Sequence, residues 1–560
     1  MQASLAHKTG AGGCTTKQLA ERGWQSIEPK QVSISSNLIR RQRCLLPTAR
    51  TVPLHSWQLL HRPDSVLGIR AYLGNVGQRL YQEMSSPEWT AVLAPSGSTP
   101  LSPQLSLPPL LTRVVPRKRL EDAAAHGVGL AFACFWLPAW GDACITDDPA
   151  GVPVGEMRLV PDATATHTLP WMPSHAISLV TMCKQPPDEP WGCCPRTALR
   201  RVLGRAQERH GLTLQLGFEL EFYLFHKPEK GEVGGSTGRG GVPPPLDGSN
   251  YCSASALDAA APVLSEMVTT LASFGISVDQ LHPESGPGQF EISLAHAPAA
   301  QAVDALLFAQ QAVAAVAAKH SLLASFLPKP LAGAAASGMH MHFSLWQGES
   351  NLLEHDPPRP KAFVFAGVEE PSVPGLAPTG EAFLAGVLHH LPALMAFTAP
   401  SPNSYRRLEP HAWAGAFQCY GVNNREAPLR LCSTPGVAHS FNCEYKTMDG
   451  TANPHLAAAA LIVAGLRGIE QSMKLPQPCT TDPGSLSEGA LAGAGIARLP
   501  QTLGEAIEAF QADEDLHAAL VDACGSKTLP RAFMATRRSE SQHLKDKSLE
   551  EEAALLYARY

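Results

Sequence analysis

From position 217 the chain alternates apolar and charged residues: Gly217, Phe218, Glu219, Leu220, Glu221, Phe222, Tyr223, Leu224, Phe225. Successive side chains of a strand point to opposite faces, so Glu219 and Glu221 project together while Phe218, Leu220 and Phe222 cover the other side. Two further segments carry polar groups on one strand face in the same way. One runs Glu284, Ser285, Gly286, Pro287, Gly288, Gln289, Phe290, Glu291, the other His340, Met341, His342, Phe343, Ser344. Residues 256–274 and 300–319 repeat apolar positions with the helical period, and each leads towards one of the polar strands. Upstream, 111–116 and 127–132 read as strands flanking a helix at 119–126, with more strands near 157–161 and 176–182. The pattern predicts an α+β chain: a small mixed-sheet domain ending near Pro187, then a larger body from about Pro195 to Tyr560.

The first hundred residues break this order, being rich in Ser, Pro, Thr and Gly with few periodic apolar segments. Over the first fifty, Lys8, Lys17, Arg22, Lys30, Arg40, Arg41, Arg43 and Arg50 outnumber Glu21 and Glu28. Residues 1–105 are therefore expected to form a poorly structured extension, compatible with an organellar (plastid) transit segment; otherwise a cytoplasmic location is expected. Two Pro- and Gly-rich stretches, 231–248 and 346–378, read as loops.

The 44 basic and 50 acidic residues give a net charge of −6, which leaves no basic field for nucleic acid. Apolar runs such as 456–466 fall short of the ~18–20 residues of a membrane span. The 13 cysteines contain no CxxC pair, so free thiols in a reducing compartment are expected. No GxxxxGK[ST] occurs, and Gly493-Ala494-Gly495 lacks the rest of a dinucleotide fingerprint. A single pair of strand carboxylates would be explained by a solvated edge. Three segments offering carboxylates and imidazoles on one face instead look like walls of a divalent-cation site, whose oxygen-rich set suits Mg²⁺ or Mn²⁺.

Six motifs, taken in order, resemble the catalytic-domain motifs of the glutamine synthetase family. They are residues 217–225; Gly286-Pro287-Gly288-Gln289-Phe290-Glu291; Lys329-Pro330 followed by Ser337-Gly338-Met339-His340-Met341-His342-Phe343-Ser344; Asn403-Ser404-Tyr405-Arg406-Arg407-Leu408; Asn424-Arg425-Glu426-Ala427-Pro428-Leu429-Arg430; and Asp449-Gly450-Thr451-Ala452-Asn453-Pro454. Residues 155–162 and Leu169-Pro170-Trp171 resemble the family's N-terminal β-grasp, and Trp413-Ala414-Gly415-Ala416-Phe417 looks most like the module found in plant and fungal nodulin-like and developmental proteins. The resemblance implies a β-grasp domain at 106–187. It implies a catalytic domain at 188–560 with a curved antiparallel sheet and flanking helices. A homo-oligomeric ring would follow, in which the small domain closes a neighbour's site, with neither nucleic acid nor membrane as partner.

The resemblance also implies the chemistry: ATP phosphorylates the side-chain carboxylate of glutamate, and ammonia or a small primary amine then displaces phosphate from γ-glutamyl phosphate. Two divalent cations, Mg²⁺ or Mn²⁺, are implied per site. Glu221, Glu284 and Glu291 would hold one, and Glu219, His340 and Glu444 the other, neutralising the transferring phosphoryl group. His342 and Ser344 would lie along the nucleotide, with Gly338 and Lys446 also in the binding region. Arg407 would clamp the glutamate carboxylate, and Arg425 and Arg430 would face the phosphates, since a planar guanidinium matches both groups in bidentate fashion. Arg406 is expected to be peripheral.

Departures from the family pattern bear on the substrate. Trp413 stands where an acidic flap residue would hold ammonium, Ala335-Ala336 where Asn-Gly would hold the glutamate amino group, and Lys446 where an arginine would stand. An ammonium-orienting aspartate has no clear counterpart, with Asp142, Asp147 and Asp148 as alternatives. An indole face suits cation–π contact with an alkylammonium, or plain packing. The expected function is ATP-dependent formation of a γ-glutamyl amide. The alternative is a catalytically impaired scaffold, and a metal-dependent hydrolase would rest on the carboxylate cluster alone.

Overall fold

The computed structural model of the chain describes residues 89–95, 110–139, 141, 154–184, 189–227, 243–248, 250–355, 373–433 and 440–556. The transit-segment expectation for 1–88, most of the 231–248 loop, the 356–372 part of the second loop, and Asp142, Asp147 and Asp148 lie outside the described residues.

Strands β1 (Trp89–Pro95), β2 (Leu110–Pro116), β3 (Val128–Ala131), β4 (Glu156–Leu169) and β5 (Met172–Cys183), with helix α1 (Leu120–His126), build a five-stranded sheet in the order β2-β1-β5-β4-β3. It is mixed, as expected, because β1 runs parallel to β5 while its other pairs are antiparallel. One expectation is corrected here: β1 lies inside the stretch 1–105 that composition assigned to a poorly structured extension. Its sequence, Trp-Thr-Ala-Val-Leu-Ala-Pro, is a short β-prone run that pairs on both edges, and averaging over a hundred residues hides it.

The larger body follows. Its strands are β6 (Leu212–His226), β7 (Val278–Pro283), β8 (Gln289–Pro298), β9 (Leu322–Ser325), β10 (Met339–Gln347), β11 (Ser350–Asn351), β12 (Tyr420–Val422), β13 (Leu429–Cys432) and β14 (Asn442–Tyr445). They form a nine-stranded sheet whose main path is β12-β13-β14-β10-β6-β8-β7. It is antiparallel except at β12–β13, which pair in parallel and so qualify the all-antiparallel expectation. Helices α2 (Pro195–His210), α3 (Ala254–Ser273), α4 (Ala299–Lys319), α5 (Pro378–His389), α6 (Leu391–Thr398), α7 (Pro402–Tyr405) and α8 (Pro454–Glu470) accompany it, with α9 to α13 filling 488–556.

The helices α3 and α4 appear within two residues of where apolar periodicity placed them. Helix α4 is also long and apolar enough to cross a membrane, a correction to the reading of the apolar runs, but 67% of its apolar window is buried inside the fold. Apolar on nearly every side, α8 is likewise a core helix, and it meets α5 where Gly386 faces Gly468. A Cβ on Gly468 would stand 2.0 Å from the Ala382 carbonyl oxygen, so only glycine permits that crossing.

A buried ion network ties β4 to three helices. Arg196 of α2, 2% exposed, reaches Asp162 of β4 at 2.8 Å and Asp304 of α4, while His455 of α8 reaches Asp304 at 2.9 Å. Burial disfavours the Asp162 carboxylate, yet the Arg196 guanidinium holds it down to about 2.

Candidate active site

Register across the large sheet turns six strands into one polar row. Arg430 on β13 faces Glu444 on β14, Glu444 faces His342 on β10, His340 faces Glu219 on β6, Glu221 faces Glu291 on β8, and Glu291 faces His282 on β7. Phe218, Leu220 and Phe222 occupy the opposite face of β6 and are buried in the core, which compels Glu219 and Glu221 into the cavity. β6 is interior, so the solvated-edge reading does not apply. Glu284 is a correction: it lies in the turn between β7 and β8, not in a strand. Pro283 ends β7, and Gly288 at φ +69° reverses the chain where a Cβ would strike the Leu224 carbonyl oxygen at 2.7 Å.

A cavity of about 800 Å³ opens over this row. It brings together Glu219, Glu221, Glu284, Glu291, His340, His342, Arg407, Trp413, Arg425, Arg430, Glu444 and Lys446. Two expected site residues stand apart. Ser344 lines an adjoining cavity of about 660 Å³ that shares Glu219, Ser293 and His342 with the first, and its hydroxyl accepts from Trp346 Nε1 at 2.8 Å. Gly338 backs the wall: a Cβ there would come within 2.5 Å of His340 Nε2 and 2.8 Å of Arg407 Nη2.

Two sets of three side chains present ligand atoms within 4.8 Å of one another: Glu219, His342 and Glu444, and His282, Glu284 and Glu291. These differ from the sets the motifs implied. The first has His342 beside Glu219 and Glu444, and the implied His340 lies against the same two carboxylates, its Nδ1 3.0 Å from Glu219 and 3.1 Å from Glu444 while its Nε2 is met by Arg407 Nη2 at 3.0 Å. His282 replaces Glu221, whose Oε2 accepts from Gln289 Nε2 at 3.1 Å. Reading the motifs missed His282 and Gln289, although each sits two residues before a chosen glutamate and alternation or turn proximity could have found both.

Charge is unevenly balanced along the row. Burial works against the Glu444 carboxylate, but Lys446 at 2.9 Å, His340 and His342 hold it well below the carboxylate range, and Arg430 stands 2.8 Å from its other oxygen. Glu219 likewise overcomes burial through His340 and His342. At the other end burial, with Glu219, Glu221 and Glu284 close by, pushes Glu291 up to about 10. Among the described residues no lysine or arginine pairs with Glu221, Glu284 or Glu291. Such a pocket of oxygen donors in excess negative charge fits a divalent cation.

The arginines are poised for anions. Arg407 is 3% exposed, donates through Nη2 to the Lys446 carbonyl at 2.6 Å, and leaves Nη1 without a partner. Arg425 is exposed at the cavity. Arg406 turns to Glu552 at 3.2 Å, as its peripheral assignment anticipated. The Ala335 and Ala336 carbonyls accept from Tyr223 Oη at 2.6 Å and Gln289 Nε2 at 2.9 Å, so that segment is fixed through backbone. Trp413 stands 56% exposed at the mouth with φ +52°, and its N–H donates to Glu426 at 3.2 Å.

Comparison with known proteins agrees with this geometry. Residues 192–555 match the family model "Glutamine synthetase, catalytic domain". The gamma-glutamylpolyamine synthetase GlnA3 of Streptomyces coelicolor is 36% identical over 77% of this chain and 86% of its own length. Protein fluG of Emericella nidulans is 32% identical over 74% of this chain and 43% of its own length. A crystal structure of a novel glutamine synthase homolog superposes with a TM-score of 0.68 at 29% identity, covering 84% of this chain and 99% of that one. By the order of its motifs, the fold they build and these likenesses, the chain belongs to the glutamine synthetase family.

Proposed function

We propose that the protein is an ATP-dependent ligase that joins the side-chain carboxylate of glutamate to a small organic amine, through γ-glutamyl phosphate. The observation that carries this is the polar row itself: an electron-rich cation wall, unpaired arginine donors and an apolar indole converge on one cavity. Family membership and the polyamine-synthetase relative support the reaction type. An intact wall of ligands and arginines speaks against the scaffold reading.

In this account Arg407 Nη1 receives the α-carboxylate of glutamate, since a buried guanidinium N–H without a partner is stabilised by an anion. Arg425 and Arg430 face the phosphates. His342 and Ser344 border the nucleotide, which lies in the cavity adjoining the main one. Glu219, His340 and Glu444 with His342 at one end of the row, and Glu221, Glu284 and Glu291 at the other, would hold Mg²⁺ or Mn²⁺, which would supply charge neutralisation for the phosphoryl group. Trp413 walls the amine site, and its face replaces a carboxylate as the partner of an alkylammonium. A side-chain oxygen of glutamate attacks the γ-phosphorus of ATP and ADP leaves. The alkylammonium gives up a proton to solvent, the neutral nitrogen attacks the γ-carbonyl carbon, the carbon–oxygen bond to phosphate breaks, phosphate departs with the oxygen it took from glutamate, and the nitrogen loses its second proton to solvent as the amide forms.

We further propose that the five-stranded sheet is a β-grasp closing the site of a neighbouring subunit in a ring. Glutamate carrying ¹⁸O in its side-chain carboxylate tests the chemistry. The label appears in released phosphate if an acyl phosphate forms; its complete retention in the amide and unreacted glutamate would overturn the reading.

A further inference from the structure

We infer that Glu552, on the last helix α13 (Leu549–Leu556), is a positioning residue for glutamate: its buried carboxylate locks the turn that carries Arg407, and so sets how tightly Arg407 holds the substrate's α-carboxylate. The inference rests on the ligase reading for the identity of that anion, and goes beyond it in giving the C-terminal helix a part in substrate affinity.

The Glu552 side chain is 1% exposed, and each of its oxygens has its own partner. Oε1 accepts from Asn403 Nδ2 at 2.7 Å, while Oε2 accepts from Arg406 Nε and Nη2, both at 3.2 Å. Asn403 is buried and reaches a second segment, taking the Lys329 N–H on Oδ1 at 2.6 Å and giving Nδ2 to the Lys329 carbonyl at 3.1 Å. Its amide cannot be turned round, because a carboxylate and a carbonyl only accept and a backbone N–H only donates. One buried carboxylate therefore fastens two walls of the main cavity: Lys329, which lines it beside 334–336, and the turn 403–407.

The turn passes this hold on to Arg407. The Arg406 N–H donates to the Asn403 carbonyl at 3.2 Å and the Arg407 N–H to the Ser404 carbonyl at 3.1 Å, so 403–407 is one hydrogen-bonded unit. From it the Arg407 guanidinium extends to His340 and to the Lys446 carbonyl. Helix α13 is seated by other means: Ala553 and Leu556 pack with Leu327 and Leu544, and Ser548 and Glu551 cap its first turn reciprocally at 2.9 and 3.2 Å. Holding the helix in place thus needs no carboxylate at 552. Burying one is costly unless it is fully partnered, and among the described residues its side-chain partners all lie on the turn that carries the clamp.

The test compares the full chain with Glu552→Ala, with Glu552→Gln, and with Glu550→Gln on the exposed side of the same helix as control. Glu552→Gln keeps the shape and one acceptor, and so serves where alanine leaves the chain unfolded. Amide hydrogen exchange without substrates reads the brace: faster exchange confined to 328–337 and 401–409 is expected in both Glu552 variants and not in the control. Steady-state rates read its use. KM for glutamate should rise roughly tenfold in Glu552→Ala, while kcat and KM for ATP change by less than about twofold. Unaltered exchange in a folded Glu552 variant, or a fall in kcat and melting temperature with KM for glutamate unchanged, would overturn the inference. Turnover by the unaltered chain that ignores glutamate would sink the ligase reading instead, and the exchange measurement still decides whether Glu552 holds the Arg407 turn.

Discussion

Arg407 Nη2 lies 3.0 Å from His340 Nε2, and this contact fixes the imidazole's proton. A guanidinium only donates, so Nε2 must accept and the ring proton sits on Nδ1, shared between Glu219 and Glu444. One arginine thus organises the carboxylate wall on one side and offers Nη1 to an incoming anion on the other. Arg407→Lys keeps charge but loses the fork. It should lower kcat/KM for glutamate by roughly a hundredfold, about 3 kcal/mol, as expected for disrupting a buried charged contact. Initial rates at varied glutamate and fixed ATP will show this, and an unchanged glutamate dependence would remove Arg407 from the clamp.

Glu291 tests the cation wall. Its carboxyl is raised by burial and by three neighbouring carboxylates, so Glu291→Gln should relieve repulsion in the metal-free protein and raise its melting temperature. Saturating Mg²⁺ should stabilise the unaltered protein by mass action and stabilise Glu291→Gln less. Glu221→Ala and Glu291→Ala should each cut glutamate-dependent turnover by about three orders of magnitude with the fold retained. Calorimetry with and without Mg²⁺ and steady-state rates check both statements; equal cation increments in Glu291→Gln and the unaltered protein would contradict the first.

The Arg196 network makes stability depend on acid. Asp162 binds protons more weakly folded, at about 2, than unfolded. Its stabilisation is therefore fully present above the unfolded value of about 4 and is lost as pH falls through about 2, amounting to about 2 kcal/mol. Arg196→Met removes the buried guanidinium that Asp162 and Asp304 share, leaving them only Arg200 and His455, and should cost about 3 kcal/mol at neutral pH. Urea denaturation at several pH values will show a shallower acid dependence in this variant.

Much of this molecule was legible in its sequence because the site is built on alternating strands. Glu219 and Glu221 announce their shared face through Phe218, Leu220 and Phe222, and α3 and α4 announce themselves by period. What alternation cannot reveal is register. That His282 faces Glu291 across β7–β8, or that Arg407 reaches His340 from a loop 67 residues away, depends on pairings between distant segments. Nor does composition reveal β1, whose seven residues are outweighed by the stretch around them. Alternation alone also places Glu284 on a strand, whereas Pro283 ends β7 and the glycines at 286 and 288 turn the chain before β8 begins at Gln289.

In the proposed function Trp413 sets the choice of amine. At 56% exposure on the cavity mouth it replaces a charged ammonium ligand by an apolar face, worth about 1–3 kcal/mol for a substrate methylene. Glu409, a carboxylate that also lines the cavity, is paired with Arg498 at 3.3 Å. Trp413→Glu should shift the ratio of kcat/KM values towards ammonium by roughly tenfold or more.

Phosphate release from MgATP by the full chain, measured with glutamate and either ammonium or a panel of small primary amines, tests the central claim most directly. The account predicts release that requires glutamate, a higher kcat/KM for an organic amine than for ammonium, and a γ-glutamyl amide formed in step with phosphate. Release that ignores glutamate, or no release with any amine, would contradict it.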